Sequence, residues 1–294
     1  EQGPHPYIAR HIVFLDQENA LSLVQLEIAN ALKDKKEKLI IVLDKSEKIS
    51  TEIADLVYQF VGKGGEILSF SELYESVFDK IPESNLHKES IISYMYSRNK
   101  GYDSLKRMID ICIAAPLWSI SLVLYPFIYL AIKMQDRGPV FFVHDRIGRG
   151  GKKIRLYKFR SMNRSDTSAT WVKDKDNTNK VTRLGYFLRK TRIDELPQLW
   201  NVLRGDISLV GPRPDVWAFG EKLNSQIPFY SVRYVATPGL SGWAQTHMDT
   251  PPQTVEETKE RLLYDLYYIK YRSLFLDILI ALKTIKTLLS RQGM

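Results

Sequence analysis

Between Ile111 and Ile132 the chain runs for 22 residues without a charged side chain, ICIAAPLWSISLVLYPFIYLAI. As one straight helix this run would be about 33 Å long, the hydrocarbon thickness of a bilayer. A buried core helix is the alternative. So long an uncharged run in a chain of net charge +8 favours contact with membrane lipid, over a segment of about 108–133. Lys106 and Arg107 precede it and Lys133 and Arg137 follow it, so the positive-inside bias selects no orientation. A re-entrant segment that enters and leaves on one side satisfies both flanks. Pro116 and Pro126 each lack a backbone donor and can break the helix, which membrane depth tolerates only where the freed carbonyls find other partners. The run lies too far inside the chain, and lacks the cleavage pattern, to be a signal peptide.

Charge divides the chain. Residues 1–100 carry 12 basic and 16 acidic side chains, whereas residues 101–294 carry a net charge of +12, so two regions with different partners are expected. In the first, β-rich runs at His11 to Leu15, Leu39 to Leu43 and Glu66 to Phe70 alternate with helical stretches at about 17–35, 51–62 and 71–79. That βαβαβ order predicts a small Rossmann-like parallel sheet over 1–80. The first strand runs into Asp16-Gln17-Glu18-Asn19 without a G-x-G-x-x-G turn, which argues against a dinucleotide there. Gly62, Gly64 and Gly65 follow a helix and read as its stop. Polar residues around Pro82 predict a linker over 81–104, and a second domain covers 105–294. The single cysteine, Cys112, excludes a disulfide framework and any Cys-rich metal site, and the histidines show no H-x-x-x-H spacing.

Near the C-terminus Phe275, Ile278, Leu279, Leu282, Ile285 and Leu289 recur at helical spacing, with Asp277, Lys283, Lys286, Thr287 and Arg291 on the remaining sides. This amphipathic helix either packs on a core or lies in a membrane interface; the upstream Tyr264, Tyr267, Tyr268 and Tyr271 favour the interface.

Residues 133–213 hold 19 Lys and Arg against 8 Asp and Glu, a density that calls for an anionic partner. Nucleic acid, anionic lipid and a phosphorylated substrate are the three classes. A nucleic-acid module would show a recognition helix or aromatics interleaved on a sheet, and neither is evident. Within the basic field stands Thr191-Arg192-Ile193-Asp194-Glu195-Leu196-Pro197. Thr-x-x-Asp can be a plain capping box, with both acids placed against the helix dipole. The surroundings favour chemistry: Lys158 and Arg160 upstream, Arg189 and Arg192 alongside, and Arg213 in the Gly211-Pro212-Arg213-Pro214 turn are all phosphate-oxygen donors. Phosphoryl transfer needs cations that screen an anionic nucleophile from an anionic phosphorus.

These residues carry a resemblance. Lys106-Arg107 to Asp110, Gly138-Pro139-Val140-Phe141-Phe142, Arg146-Ile147-Gly148, Tyr157-Lys158-Phe159-Arg160-Ser161-Met162, Leu188 to Leu199, Gly205 to Pro214 and Pro238-Gly239-Leu240-Ser241-Gly242-Trp243-Ala244-Gln245 together resemble the bacterial sugar transferase family, the monotopic polyprenyl-phosphate phosphoglycosyl transferases. The likeness covers roughly residues 102–290, and the first hundred residues look like part of the Rossmann-like domain of larger members. The resemblance implies an α/β protein: a helix-rich monotopic catalytic domain, with a re-entrant membrane helix and amphipathic interfacial helices, behind a small parallel-sheet domain. It also implies transfer of a sugar-1-phosphate from a UDP-sugar to undecaprenyl phosphate with release of UMP, on the cytoplasmic face of a bacterial inner membrane.

Carried over by position, Asp194 is the nucleophile and Glu195 its partner, with Mg2+ at Asp194. Lys158, Arg160, Arg189, Arg192 and Arg213 become phosphate ligands, and Trp243, Gln245 and Asp277 belong to the nucleotide or sugar region. Membrane lipid and a second copy of the chain are the other expected partners. Two departures stand out. The prolines follow Ala115 and Tyr125 where relatives usually have Ser-Pro, and Thr246-His247-Met248-Asp249 replaces an Asn-Gly-Arg turn. The competing class is a membrane-bound scaffold that merely holds anionic lipid; it accounts for the charge but not for Asp194-Glu195 among so many phosphate donors.

Overall fold

The computed structural model describes residues 40–43, 51–63, 65–96, 100–162, 181–248 and 250–290. The expected strand at His11 to Leu15 and helix at 17–35 lie outside them. The chain divides into two compact units, Glu1–Asn85 and Leu86–Met294.

In the first unit β1 (Ile40–Leu43) and β2 (Glu66–Ser69) pair in parallel, Ile40 opposite Glu66, across helix α1 (Thr51–Gly62). Helix α2 (Phe70–Phe78) follows at once. Its start is a capping box: the Ser69 hydroxyl accepts from Glu72 N at 3.2 Å, and Ser69 N donates to Glu72 Oε2 at 2.8 Å. The parallel β-α-β order agrees with the sequence reading.

The second unit begins with α3 (Lys88–Tyr96), in the stretch expected as a linker. It packs along α9 (Val255–Tyr271), with Lys270 Nζ 5.5 Å from the Tyr94 ring centre. The apolar run forms α4 (Lys100–Ser121), a 3-10 turn at Leu122–Leu124, and α5 (Tyr125–Asp136). Pro116 stays inside α4. Pro126 sits in the first turn of α5, where a missing N–H leaves nothing unsatisfied. Together Gly101–Gln135 are long and apolar enough to cross a membrane, the most apolar 18 residues among them having a mean hydropathy of 2.0.

The charged residues ahead of the run pin α4 to the domain. Lys106 pairs with Asp277 at 2.8 Å. Arg107 donates to the Val202 and Leu203 carbonyls at the end of α7 (Gln198–Arg204), where a cation meets the negative end of the helix. Asp110 accepts from Leu209 N at 3.1 Å on β5 (Ser208–Val210). One face of the helical pair is then buried: Ala114 against Leu156, Leu199, Val202 and Ile207, and Ile128 and Ile132 against Val140, Phe159 and Leu188. Ile120, Val123, Phe127, Leu130 and Met134 remain exposed on the other.

The rest of the unit is short elements around this support. β3 (Phe141–Ile147) and β4 (Lys153–Phe159) make an antiparallel hairpin, Phe141 opposite Phe159. After α6 (Arg183–Lys190) and α7, β5 pairs in parallel with β6 (Gly239–Ser241), and α8 (Trp217–Gln226) lies between them. The final helix, α10 (Leu274–Leu289), corrects one expectation about its faces. Asp277, placed by periodicity on a polar side, points inward: it accepts from Tyr102 at 2.8 Å and Tyr268 at 2.9 Å as well as from Lys106. Phe275, Ile278, Leu282 and Ile285 stay exposed. The helix buries a hydrogen-bonded acid and turns its apolar stripe outward.

Candidate active site

Strand β4, the end of α6 and the turn after β5 converge on Asp194 and Glu195. The capping-box reading of Thr191 fails on geometry. Its hydroxyl donates backwards, to Phe187 O at 2.8 Å and Leu188 O at 3.2 Å, and so closes α6 instead of opening a new helix. Arg192 then takes a left-handed conformation, φ 58°, uncommon for a residue with a side chain. This reverses the chain into a 3-10 turn, Ile193–Glu195, and drives Asp194 inward to 6% exposure.

The two carboxylates have different surroundings. Glu195 is held by cations: Lys158 Nζ at 2.6 Å, Arg192 at 3.6 Å and Arg213 at 3.7 Å. Burial opposes its ionisation, but Lys158, Arg213 and Arg192 outweigh burial and bring it down to about 2. Asp194 moves the other way. Burial pushes it above the usual carboxylate value, and Glu195 adds to that, against the pull of Lys158, Arg189 and Arg192. Its Oδ1 is buried and has no hydrogen-bond partner among the described residues. One acid is neutralised by its setting; the other keeps an uncommitted oxygen among positive charges.

A pH experiment follows from Glu195. A carboxyl that drops from 4.5 to about 2 on folding stabilises the native state at every pH above 4.5, by roughly 3 kcal/mol for the pair as a whole, and loses that contribution as pH falls toward 2. Glu195→Gln is therefore expected to be less stable than the wild type at pH 7, with the gap narrowing as the pH is lowered through 4. Urea unfolding in detergent at several pH values measures it; a gap that widens in acid contradicts the assigned ion pairs.

Not every expected ligand reaches the pair. Arg189 lies near Asp194, its Nε donating to Ser161 Oγ at 2.8 Å. Arg160 instead lays its guanidinium over Gly138, where any side chain would collide with it. Trp243 is buried, with Tyr267 stacked at 5.7 Å and Lys283 Nζ 4.4 Å from its ring centre. Gln245 Oε1 is buried in the same loop without a partner among the described residues. Asp277 serves the packing of α4, α9 and α10 described above.

Sequence reasoning missed what holds Arg213. Its carbonyl accepts from Arg233 Nη2 at 2.9 Å, and the next carbonyl, Pro214 O, accepts from Arg146 at 3.1 Å. Arg233 is buried and ion-paired to Asp215 and, at 2.7 Å, to Asp265; Arg261 reaches Asp215 at 2.7 Å. Tyr230 and Tyr234 donate to Asp215 at 3.0 and 3.1 Å. These residues carry no local motif, since the pairs join segments 18, 32 and 46 positions apart.

The fold and this centre define a helix-rich domain that combines an exposed apolar helical segment with a carboxylate pair set among lysine and arginine side chains. The family model for bacterial sugar transferases matches residues 101–291, and the chain belongs to that family. A UDP-N-acetylgalactosamine-undecaprenyl-phosphate N-acetylgalactosaminephosphotransferase of Aeromonas hydrophila is 38% identical over 234 residues, 77% of this chain and 53% of the relative. A UDP-glucose:undecaprenyl-phosphate glucose-1-phosphate transferase of Caulobacter vibrioides is 40% identical over 189 residues, 64% of this chain and 71% of the relative. A putative undecaprenyl-phosphate N-acetylgalactosaminyl 1-phosphate transferase of Bacillus subtilis is 38% identical over 156 residues, 51% of this chain and 86% of the relative. The chain spans about half the length of the Aeromonas relative.

Proposed function

We propose that this chain transfers a sugar-1-phosphate from a UDP-sugar to undecaprenyl phosphate through a covalent phosphosugar on Asp194. The observation that carries the reading is the buried Asp194 oxygen without a partner among the described residues, set among Lys158, Arg189 and Arg192. An Asp194 oxygen attacks the sugar-bearing phosphorus, the bond from that phosphorus to the UMP oxygen breaks, and UMP leaves with the electron pair. A phosphate oxygen of undecaprenyl phosphate then attacks the same phosphorus and displaces the carboxylate, giving the diphosphosugar lipid. Arg213 and Arg192 stabilise charge on the transferring group, and Lys158 holds Glu195 ionised beside it.

This reading includes Mg2+ at Asp194, with substrate phosphates completing the donors, since the described residues bring no group of three or more metal-ligating side chains together. Magnesium is usually held by one or two carboxylates plus substrate phosphates, and Asp194 offers a carboxylate oxygen without a protein partner among the described residues. Bound there, it would neutralise diphosphate charge and the charge developing on departing UMP.

The exposed apolar faces of α4, α5 and α10 support attachment to the cytoplasmic face of the inner membrane, where UDP-sugars are available. In this reading Gly101–Gln135 is re-entrant and the domain monotopic, because basic residues flank the apolar run on both sides. The first unit is in this reading a partial Rossmann-like accessory domain, and a second copy of the chain is its expected partner. Incubation of the purified protein with undecaprenyl phosphate, Mg2+ and a panel of UDP-sugars is expected to release UMP with at least one sugar. No UMP with any sugar would leave the scaffold reading in its place.

A further inference from the structure

Arg146 is half-buried on β3 and makes three hydrogen bonds, all to neutral acceptors. Its Nη1 donates to Pro214 O at 3.1 Å, and its Nε and Nη2 lie 3.3 and 3.2 Å from His144 Nδ1. Because an arginine can only donate, His144 Nδ1 accepts, and the neutral ring carries its hydrogen on Nε2. Burial, reinforced by Arg146, Lys158 and Arg213, lowers His144 to about 3, so the ring stays neutral at any working pH. No carboxylate forms an ion pair with Arg146 among the described residues. The acids in its field are committed elsewhere: Asp215 to Arg233 and Arg261, Glu195 to Lys158. Burial and Arg213 lower the Arg146 guanidinium to about 10, which leaves it charged.

A charge drawn partly out of water is ordinarily paired, because desolvation disfavours the charged form. Arg233 obeys this with two aspartates, and Arg261 with Asp215. Arg146 instead has a histidine where a carboxylate would be expected, and its positive charge is left over. The direction in which that charge acts follows from the strand register. His144 stands opposite Leu156 and Phe142 opposite Lys158, so Arg146, His144 and Lys158 share one face of the hairpin, the face that meets Glu195. Arg146 also grips the turn that carries Arg213, whose own side chain is 37% exposed and only loosely paired, at 3.7 Å from Glu195.

We propose that Arg146, held by His144, is a further phosphate-binding residue, which together with Arg213 receives one phosphoryl group of a substrate. The inference deepens the proposed transferase reading and rests on it for which substrate carries the phosphate. Histidine serves here because it orients the guanidinium without cancelling its charge; the anion that completes the pair is the substrate. Either the nucleotide-sugar diphosphate or the polyprenyl phosphate has the required chemistry.

The test uses the full chain in detergent, with binding of UDP, which carries both phosphoryl groups of the donor, measured by calorimetry. Arg146→Gln is expected to weaken UDP binding at least about tenfold and to flatten its dependence on salt, and Arg146→Lys to recover part of the loss. His144→Glu supplies the missing carboxylate, so it should keep or raise the thermal midpoint while weakening UDP binding, a combination that a purely structural Arg146 does not produce. Unchanged UDP binding with a raised KM for undecaprenyl phosphate assigns the phosphoryl group to the lipid acceptor. Folded Arg146→Gln with unchanged UDP affinity and unchanged KM for both substrates overturns the proposal, and if that variant does not fold, unaltered UDP binding and KM values in His144→Glu do so. Weakened UDP binding in a protein that turns over no UDP-sugar would sink the transferase reading and leave this one standing.

Discussion

Asp194→Asn is expected to eliminate the phosphosugar adduct and to lower UMP release by at least about a thousandfold, the scale on which loss of a covalent nucleophile is felt. An amide has nearly the shape of the carboxylate but neither its charge nor its nucleophilic oxygen. The substitution should not unfold the protein. Burial already raises Asp194 above the ordinary carboxylate value, so removing the charge relieves a cost of folding, and the thermal midpoint is expected to hold or rise. Intact-protein mass spectrometry after addition of the UDP-sugar identified by the panel reads the adduct directly. A phosphosugar mass on the Asn variant would place the nucleophile elsewhere.

Arg233→Met carries the largest expected effect on stability, a loss of about 3–5 kcal/mol, because it strands two carboxylates in the interior. The side chains of Arg233, Asp215 and Asp265 are 1%, 4% and 1% exposed, so water cannot replace the lost partner. Arg261 still reaches Asp215, but Asp265 loses both of its hydrogen bonds from Arg233. The carbonyl of Arg213 loses its donor as well, so the variant should lose transfer activity even where it remains folded. Arg233→Lys keeps a charge but not the planar fork and is expected to fall between the two. Chemical denaturation in detergent provides the measurement; an unchanged midpoint for Arg233→Met would mean that the two aspartates are not charged in the folded protein.

The apolar run, the charge division, the parallel order of β1 and β2 and the concentration of cations around Asp194-Glu195 were all legible in the amino-acid order. They depend on local composition or on spacing along a single element, and a hydrophobic run or a dense set of like charges constrains any fold that contains it. The resemblance placed Lys158 among the phosphate ligands; its ion pair with Glu195, 37 residues away, is a contact that only the fold makes.

Only the tertiary structure decided between residues of equal chemical promise. Arg189 and Arg160 both looked like phosphate ligands, yet one lies near Asp194 and the other covers Gly138, because Arg189 sits in the last turn of α6 and Arg160, just past β4, fills the space a glycine leaves. Asp277 read as a surface acid of an amphipathic helix and is a buried acceptor for two tyrosines and a lysine. Thr191 matched a helix start and closes a helix end. Arg146 and Arg233 are both arginines gripping one turn; packing places aspartates around the second and a neutral histidine beside the first. Which charges cancel and which remain for a ligand depends on distances across the fold, between residues that sequence separation alone does not pair.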